Sequence, residues 1–127
     1  MIAITATTAT GASATATPPC AALDVRPVTT PADRAAWAAY VDARPAGTLF
    51  QHPLWSEAVT RAFGHTPQHR LAWRGDTVGG VLPLLEVRSW LAGTLLVSVP
   101  YGTYGGILAD DAETCAALAT AARGLVD

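Results

Sequence analysis

Gln68-His69-Arg70-Leu71-Ala72-Trp73-Arg74-Gly75-Asp76-Thr77-Val78-Gly79-Gly80-Val81-Leu82-Pro83-Leu84-Leu85-Glu86-Val87 is the stretch from which the fold can be read. Two largely apolar runs flank Gly75-Asp76, and glycine there supplies the positive φ that a tight hairpin turn demands. Residues 68–74 and 77–87 therefore predict an antiparallel pair. The second arm is apolar on both faces through Val81-Leu82-Pro83-Leu84-Leu85, the pattern of a strand covered on both sides. Pro83 has no N–H to give a ladder, so a bulge or an unpaired position is expected at that point.

Upstream of the hairpin, Thr30-Pro31 is a helix-start signal: a residue able to cap, then a proline at the first helical position, where its missing N–H costs nothing. Ala36, Trp37, Tyr40 and Val41 fall on one face of this helix, and Pro45 ends it. A second helix opens at Pro53, with Leu54, Trp55, Ala58, Val59, Ala62 and Phe63 as a 3.6-period apolar stripe and Gly64 as its stop. Before both, Leu23 to Val28 alternates apolar and polar in the manner of a half-buried strand. Downstream, Thr94 to Val99 predicts another strand, and a last helix begins near Asp110, which stands at capping-box spacing from Glu113. Leu118, Ala121, Ala122, Leu125 and Val126 make its inner face, and no stop signal precedes Asp127, so the helix reads as cut short. The expected order is β-α-α-β-β-β-α.

The 127 residues suffice for one domain and one core. Residues 1–22, an Ala/Thr-rich stretch without a charge, read as a disordered tail, and residues 23–127 as the folded part. The tail lacks the basic start of a signal peptide, and no run reaches the length of a membrane span, which together predict a cytoplasmic protein without a transmembrane segment. Eight arginines, no lysine and ten carboxylates give a net charge of −2. The arginines are scattered, so DNA is not an expected partner. Cys20 and Cys115 share no metal or redox spacing and read as ordinary thiols.

Strand, two helices, antiparallel meander and helix is the opening order of GNAT-type acyltransferases, and the wording of the chain is more specific. Thr48-Leu49-Phe50-Gln51-His52-Pro53-Leu54-Trp55, Phe63-Gly64-His65, Gly79-Gly80-Val81-Leu82-Pro83-Leu84, Val97-Ser98-Val99-Pro100-Tyr101 and Tyr104-Gly105-Gly106-Ile107-Leu108 look like successive FemAB-family segments, in order and spacing. Over residues 23–127 the chain most resembles the FemAB-related proteins that accompany the PEP-CTERM/exosortase system of exopolysaccharide-producing Gram-negative bacteria. That resemblance implies an α/β fold, a partial GNAT-like (acyl-CoA N-acyltransferase-type) domain with a mostly antiparallel sheet. It also implies transfer of an acyl or aminoacyl group to an amine in cell-wall or exopolysaccharide biosynthesis. The acceptor would be a small molecule or a cell-envelope precursor such as one of peptidoglycan. The donor would be acyl-CoA or aminoacyl-tRNA, as a substrate and not a bound cofactor. Family members are more than twice this length, so a missing C-terminal half is expected to complete the fold, and the 127 residues alone are expected to be inactive. The Arg-x-x-Gly-x-Gly/Ala loop with which coenzyme-A users hold pyrophosphate is absent between Val97 and Asp110.

Amide-forming transfer needs a path for the amine proton, a donor for the developing oxyanion and close placement of two substrates. Tyr101, Tyr104, Gly105 and Gly106 are candidates for substrate binding, since glycines open backbone N–H groups to a ligand and tyrosines offer hydroxyls or stacking faces. Gln51 and His52, just ahead of a helix start, are candidates for the same reason of position, or else cap that helix. No metal site is expected: His65 and His69 straddle a helix end and a strand, and each reads as a solvent-facing histidine. Trp37 and Trp55 are assigned to the core and Trp90 to an exposed loop, while Glu86 and Arg88 share a strand face as an ion pair. Two other classes fit the same residues. One is a non-catalytic polysaccharide or peptidoglycan-precursor binding module using Tyr101 and Trp90, the other a partner-dependent scaffold domain.

Overall fold

The computed structural model describes residues 2–3, 6–8, 22–98 and 106–126. In chain order the elements are β1 (Ile2–Ala3), β2 (Ala6–Thr8), β3 (Leu23–Pro27), α1 (Pro31–Asp42), a 3₁₀ turn (Leu49–Gln51), α2 (Pro53–Phe63), β4 (Thr66–Pro67), β5 (Arg70–Arg74), β6 (Thr77–Leu82), β7 (Leu85–Ser89), β8 (Gly93–Val97), β9 (Ile107–Ala109) and α3 (Ala112–Gly124). The fold is α/β, with three helices and two mainly antiparallel sheets, ordered β1-β8-β7-β4 and β2-β9-β6-β5-β3. Among the described residues only β1 on β8 and β2 on β9 run parallel. Both of those strands come from the segment expected to be a disordered tail. Two strands, β8 and β9, stand between the hairpin and the last helix where one was expected. No described helix is long and apolar enough to cross a membrane.

The hairpin carries both sheets. Gly75, at φ 60°, turns the chain between β5 and β6, with Arg74 opposite Thr77. Farther along, Arg70 faces Leu82 and Pro67 faces Leu85, a register that sets His69 opposite Pro83 and Gln68 opposite Leu84. At that level each arm leaves the five-stranded sheet and enters the four-stranded one. Pro83 is the unpaired position that its missing N–H predicts. The Gln68 N–H still donates to the Leu84 carbonyl at 2.9 Å. The reciprocal Leu84 N–H goes instead to Nδ1 of His69, at 3.0 Å and in a buried setting. A side chain thus completes the ladder where proline interrupts it, and the freed Gln68 carbonyl accepts from Arg70.

Gly79 and Gly80 serve separate ends. The pairing of β5 with β6 shifts between Ala72 and Trp73, so that Gly79 is the bulged residue, and its carbonyl turns to accept both Asp110 N–H (2.9 Å) and the Tyr40 hydroxyl (3.0 Å). Gly80 lies under α3: a Cβ there would stand 2.8 Å from Thr114 Cγ2 and 2.9 Å from Leu118 Cδ1. One core forms between α1 and the five-stranded sheet, around Trp37, Tyr40, Val41, Leu71, Val78, Val81 and Leu108. A second forms between that sheet and α3, around Ala72, Leu82, Leu84, Ile107, Leu118 and Ala122.

Capping follows the sequence closely at α1, where Thr30 and Asp33 make a reciprocal capping box. At α3 the cap is Asp111, not Asp110, accepting from Thr114 N–H at 2.7 Å. Asp110 is committed elsewhere: Arg44 grips its two oxygens at 2.7 and 2.9 Å, and the Tyr40 hydroxyl reaches it at 2.8 Å. Burial, with the Asp110 hydrogen bond second, pushes the Tyr40 phenol well above its ordinary pKa, so it stays a donor. The apolar stripe expected on α2 is not the face that packs. Of its six residues only Val59 is buried, whereas Leu54 and Phe63 are exposed; the other buried positions of the helix are Pro53 and Ser56. Val126, expected on the inner face of α3, is exposed as well.

Replacing Gly80 with alanine is expected to cost about 1–3 kcal/mol, the range for overpacking a filled site. Gly79→Ala, whose Cβ meets nothing nearer than 3.9 Å, serves as the neutral control. Urea unfolding midpoints of the two variants check this.

Candidate functional site

α2 and α1 pack against the β4–β5 bend, and between them lies a cavity of about 290 Å³. Its apolar walls are Val28, Trp37, Pro53 and Pro67. Into these walls α2 sets Ser56, Glu57, Thr60 and Arg61, one helical turn apart in pairs, while α1 adds Arg34 and the bend adds His69. Ser56 and His69 are buried, at 3% and 9% exposure, which is uncommon for such residues without a local reason. The buried Thr60 hydroxyl finds no hydrogen-bond partner among the described residues.

His69 corrects the expectation of a solvent-facing histidine. Its ring lies 4.7 Å from that of Trp37, its carbonyl accepts from Val28 N–H at 3.2 Å, and its Nδ1 accepts from Leu84. An Nδ1 that accepts leaves the proton of the neutral ring on Nε2. Burial, helped by the charges of Arg34 and Arg70, holds its pKa down to about 4. At neutral pH His69 is therefore an uncharged N–H donor in the cavity wall and not a base.

Glu57 is the carboxylate of the site. Arg61, one turn on, meets it at 2.7 Å, and Arg34 stands 3.7 Å away. Glu57, Arg34 and Pro53 also border a second cavity, of about 300 Å³, otherwise lined by Pro31, Ala35, Ala38, His52 and Leu54. The two spaces share that wall, one polar in its functional groups and the other mostly apolar.

Of the six residues singled out from sequence, Gln51, His52 and Gly106 are among the described residues. Gln51 is buried, with its carbonyl taking the Trp37 indole N–H at 2.8 Å and its side chain accepting from Thr48 N–H at 3.2 Å. It builds the 3₁₀ turn and does not line either cavity. His52 caps α2 through Nδ1, 3.2 Å from Leu54 N, faces Asp42 at 3.5 Å and borders the apolar cavity. The Gly106 N–H donates to Ser98 Oγ at 2.8 Å, at the head of β9 and away from the Gln51–His52 turn. Tyr101, Tyr104 and Gly105 lie outside the described residues. Trp37 is core as expected, Trp55 is only half-buried against Phe50, and Trp90 is 92% exposed. Arg88 and Glu86 pair at 3.0 Å. Sequence reasoning missed Ser56, Glu57, Thr60 and His69. The one signal for the three on α2 was the i, i+4 spacing of polar residues along that helix, which reads equally as a solvated face.

Among the described residues no group of three or more His, Cys, Asp or Glu side chains stands close enough to hold a metal ion. Cys115 is a free, half-buried thiol. Comparison of the chain with family models, with curated proteins and with solved structures finds no match.

The depressed His69 pKa has a measurable consequence. An unfolded histidine takes a proton near 6.5, whereas the folded one resists until about 4. Its contribution to stability is then complete above pH 6.5 and is lost as the pH falls from there towards 4, by roughly 2–3 kcal/mol at pH 4.5. His69→Gln keeps an acceptor for Leu84 N–H but cannot titrate. Urea melts at pH 7 and 4.5 are expected to show an acid loss smaller by that amount in the variant.

Proposed function

We propose that the chain is the N-terminal part of a FemAB-like transferase that joins an acyl or aminoacyl group to an amine acceptor. The proposal includes a partial GNAT-like domain. The observation that carries this reading is the pair of adjoining cavities with Glu57 in their common wall. A transfer between two substrates gains most of its rate from holding them side by side, and a shared carboxylate is the group such a reaction asks for. The resemblance of Thr48–Trp55 and Gly79–Leu84 to FemAB segments supports the same reading, since the first lays down the cap of α2 and the second the sheet crossing beside the cavity.

In this reading the acyl group occupies the apolar cavity and the amine enters the polar one. The amine nitrogen attacks the carbonyl carbon, the C–N bond forms, and the bond to the donor's sulfur or ester oxygen breaks. The amine proton passes to Glu57 and from there to the leaving thiolate or alkoxide. His69, as a neutral N–H donor, orients the acceptor.

NMR titration with a short-chain acyl-CoA, an aminoacyl ester and simple amines tests the arrangement. Donor and acceptor are expected to bind together, the donor shifting His52 and Leu54 signals and the acceptor shifting His69 and Trp37. Mutual displacement, or no binding of any donor at millimolar concentration, overturns it. A second reading, a saccharide-binding module, draws on Trp90, whose bare ring stands at the β7–β8 turn. Under that reading Trp90→Ala abolishes binding of acidic or neutral glycans, whereas the transferase reading leaves both donor and acceptor binding intact.

A further inference from the structure

The polar cavity carries a preference that its shape alone does not impose. Arg34 and Arg61 bring two positive charges to its wall, and Arg70 lies close enough to His69 to act on it electrostatically. Among the described residues Glu57 is the sole carboxylate lining it, and it is already engaged by Arg61 and Arg34. His69 offers an N–H, and Ser56 adds a buried hydroxyl in the same wall. The two guanidiniums are largely exposed and outnumber the one carboxylate, while Ser56 and His69 are buried beside them, so the wall favours an anion that the buried groups can also reach. A planar carboxylate suits guanidinium groups through paired hydrogen bonds.

Volume narrows the class further. A space of about 290 Å³, partly open to solvent, holds about ten waters at liquid density, hence a seated portion of roughly ten non-hydrogen atoms or fewer. Nucleotides and oligosaccharides exceed that size. Trp37, Val28 and the two prolines leave an apolar wall for a short hydrocarbon portion.

We infer that this cavity binds a small amino-acid-like zwitterion, its carboxylate held by Arg34, Ser56 and the Nε2–H of His69 and its amine directed to Glu57. The inference rests on the transferase reading for the role of the amine, which makes the bound molecule the acceptor once its ammonium has given one proton to solvent and so gained the lone pair that attacks. The carboxylate preference stands on the charges and donors of the cavity alone.

The test uses the intact chain and five probes: glycine and alanine as zwitterions, alaninamide as an amine without carboxylate, propionate as a carboxylate without amine, and inorganic phosphate as a competing anion. Binding is followed by the Trp37 indole and His69 ring signals. Alanine is expected to bind at least tenfold tighter than alaninamide and severalfold tighter than propionate or phosphate. Ser56→Ala and Arg34→Gln are each expected to weaken alanine at least fivefold. Their unfolding midpoints show that the fold is kept. Alaninamide binding as well as alanine, or Ser56→Ala and Arg34→Gln both without effect, overturns the proposal. If propionate equals alanine while alaninamide fails, the carboxylate site stands and the amine-acceptor role falls with the transferase reading. If phosphate outcompetes every carboxylate, the zwitterion is wrong and the cavity is a phosphate site.

Discussion

The hydrogen bond from Leu84 N–H to Nδ1 of His69 is the joint on which the structure turns. A proline in the middle of a strand leaves its neighbours without a regular ladder, and the unpaired amide beside it would be buried at a cost of about 1–3 kcal/mol. His69 removes that cost by presenting a side-chain acceptor at the opposite position. Once the amide is satisfied, the hairpin can pass from one sheet into the other without opening its interior to water. The same bond fixes the tautomer of the ring. Fold and candidate site are therefore linked through one proton: the nitrogen that closes the sheet dictates that the other nitrogen of this cavity-lining ring carries it.

The two strand arms meeting at Gly75, the break at Pro83, the Thr30 cap and the Trp37 face of α1 were all legible in the residues, because each depends on local chemistry. Position 110 shows where local reasoning stops. Asp110 and Asp111 are equivalent by spacing as helix caps to within one residue, and the choice falls to Asp111 because Arg44 and Tyr40, from the far end of α1, hold Asp110. Nothing near Asp110 in sequence announces that clasp. β9 escaped notice for a similar reason: three residues long, it is strand because β6 and β2 lie on either side of it.

The candidate site was less legible than the fold. Gln51 and His52 drew attention as polar residues before a helix, which is also what a helix start requires for its own unpaired N–H groups. The structural demand is met first, with Gln51 spent on the 3₁₀ turn and His52 on the cap of α2. What remains of His52 for a ligand is its place on the border of the apolar cavity. His69 was unreadable because its burial follows from Pro83, fourteen residues away in the chain and directly opposite in the hairpin.

The orientation of α2 is the strongest reason to regard the cavity as more than a packing gap. Turned to bury its apolar stripe, the helix would hide Leu54 and Phe63, each worth roughly 1.5–3 kcal/mol when fully removed from water. It instead leaves both side chains exposed and directs Ser56 inward, with Glu57 and Thr60 in the cavity wall. A helix whose burial runs against its own hydrophobic pattern departs from the agreement between local and global preference that ordinary packing follows. Such departures concentrate at functional sites. The cap at His52 and the glycine stop at Gly64 fix both ends of the helix, so the rotation is built in and not a consequence of loose termini. The polar edge of α2 faces inward and lines the cavity, while Leu54 and Phe63 stay in water.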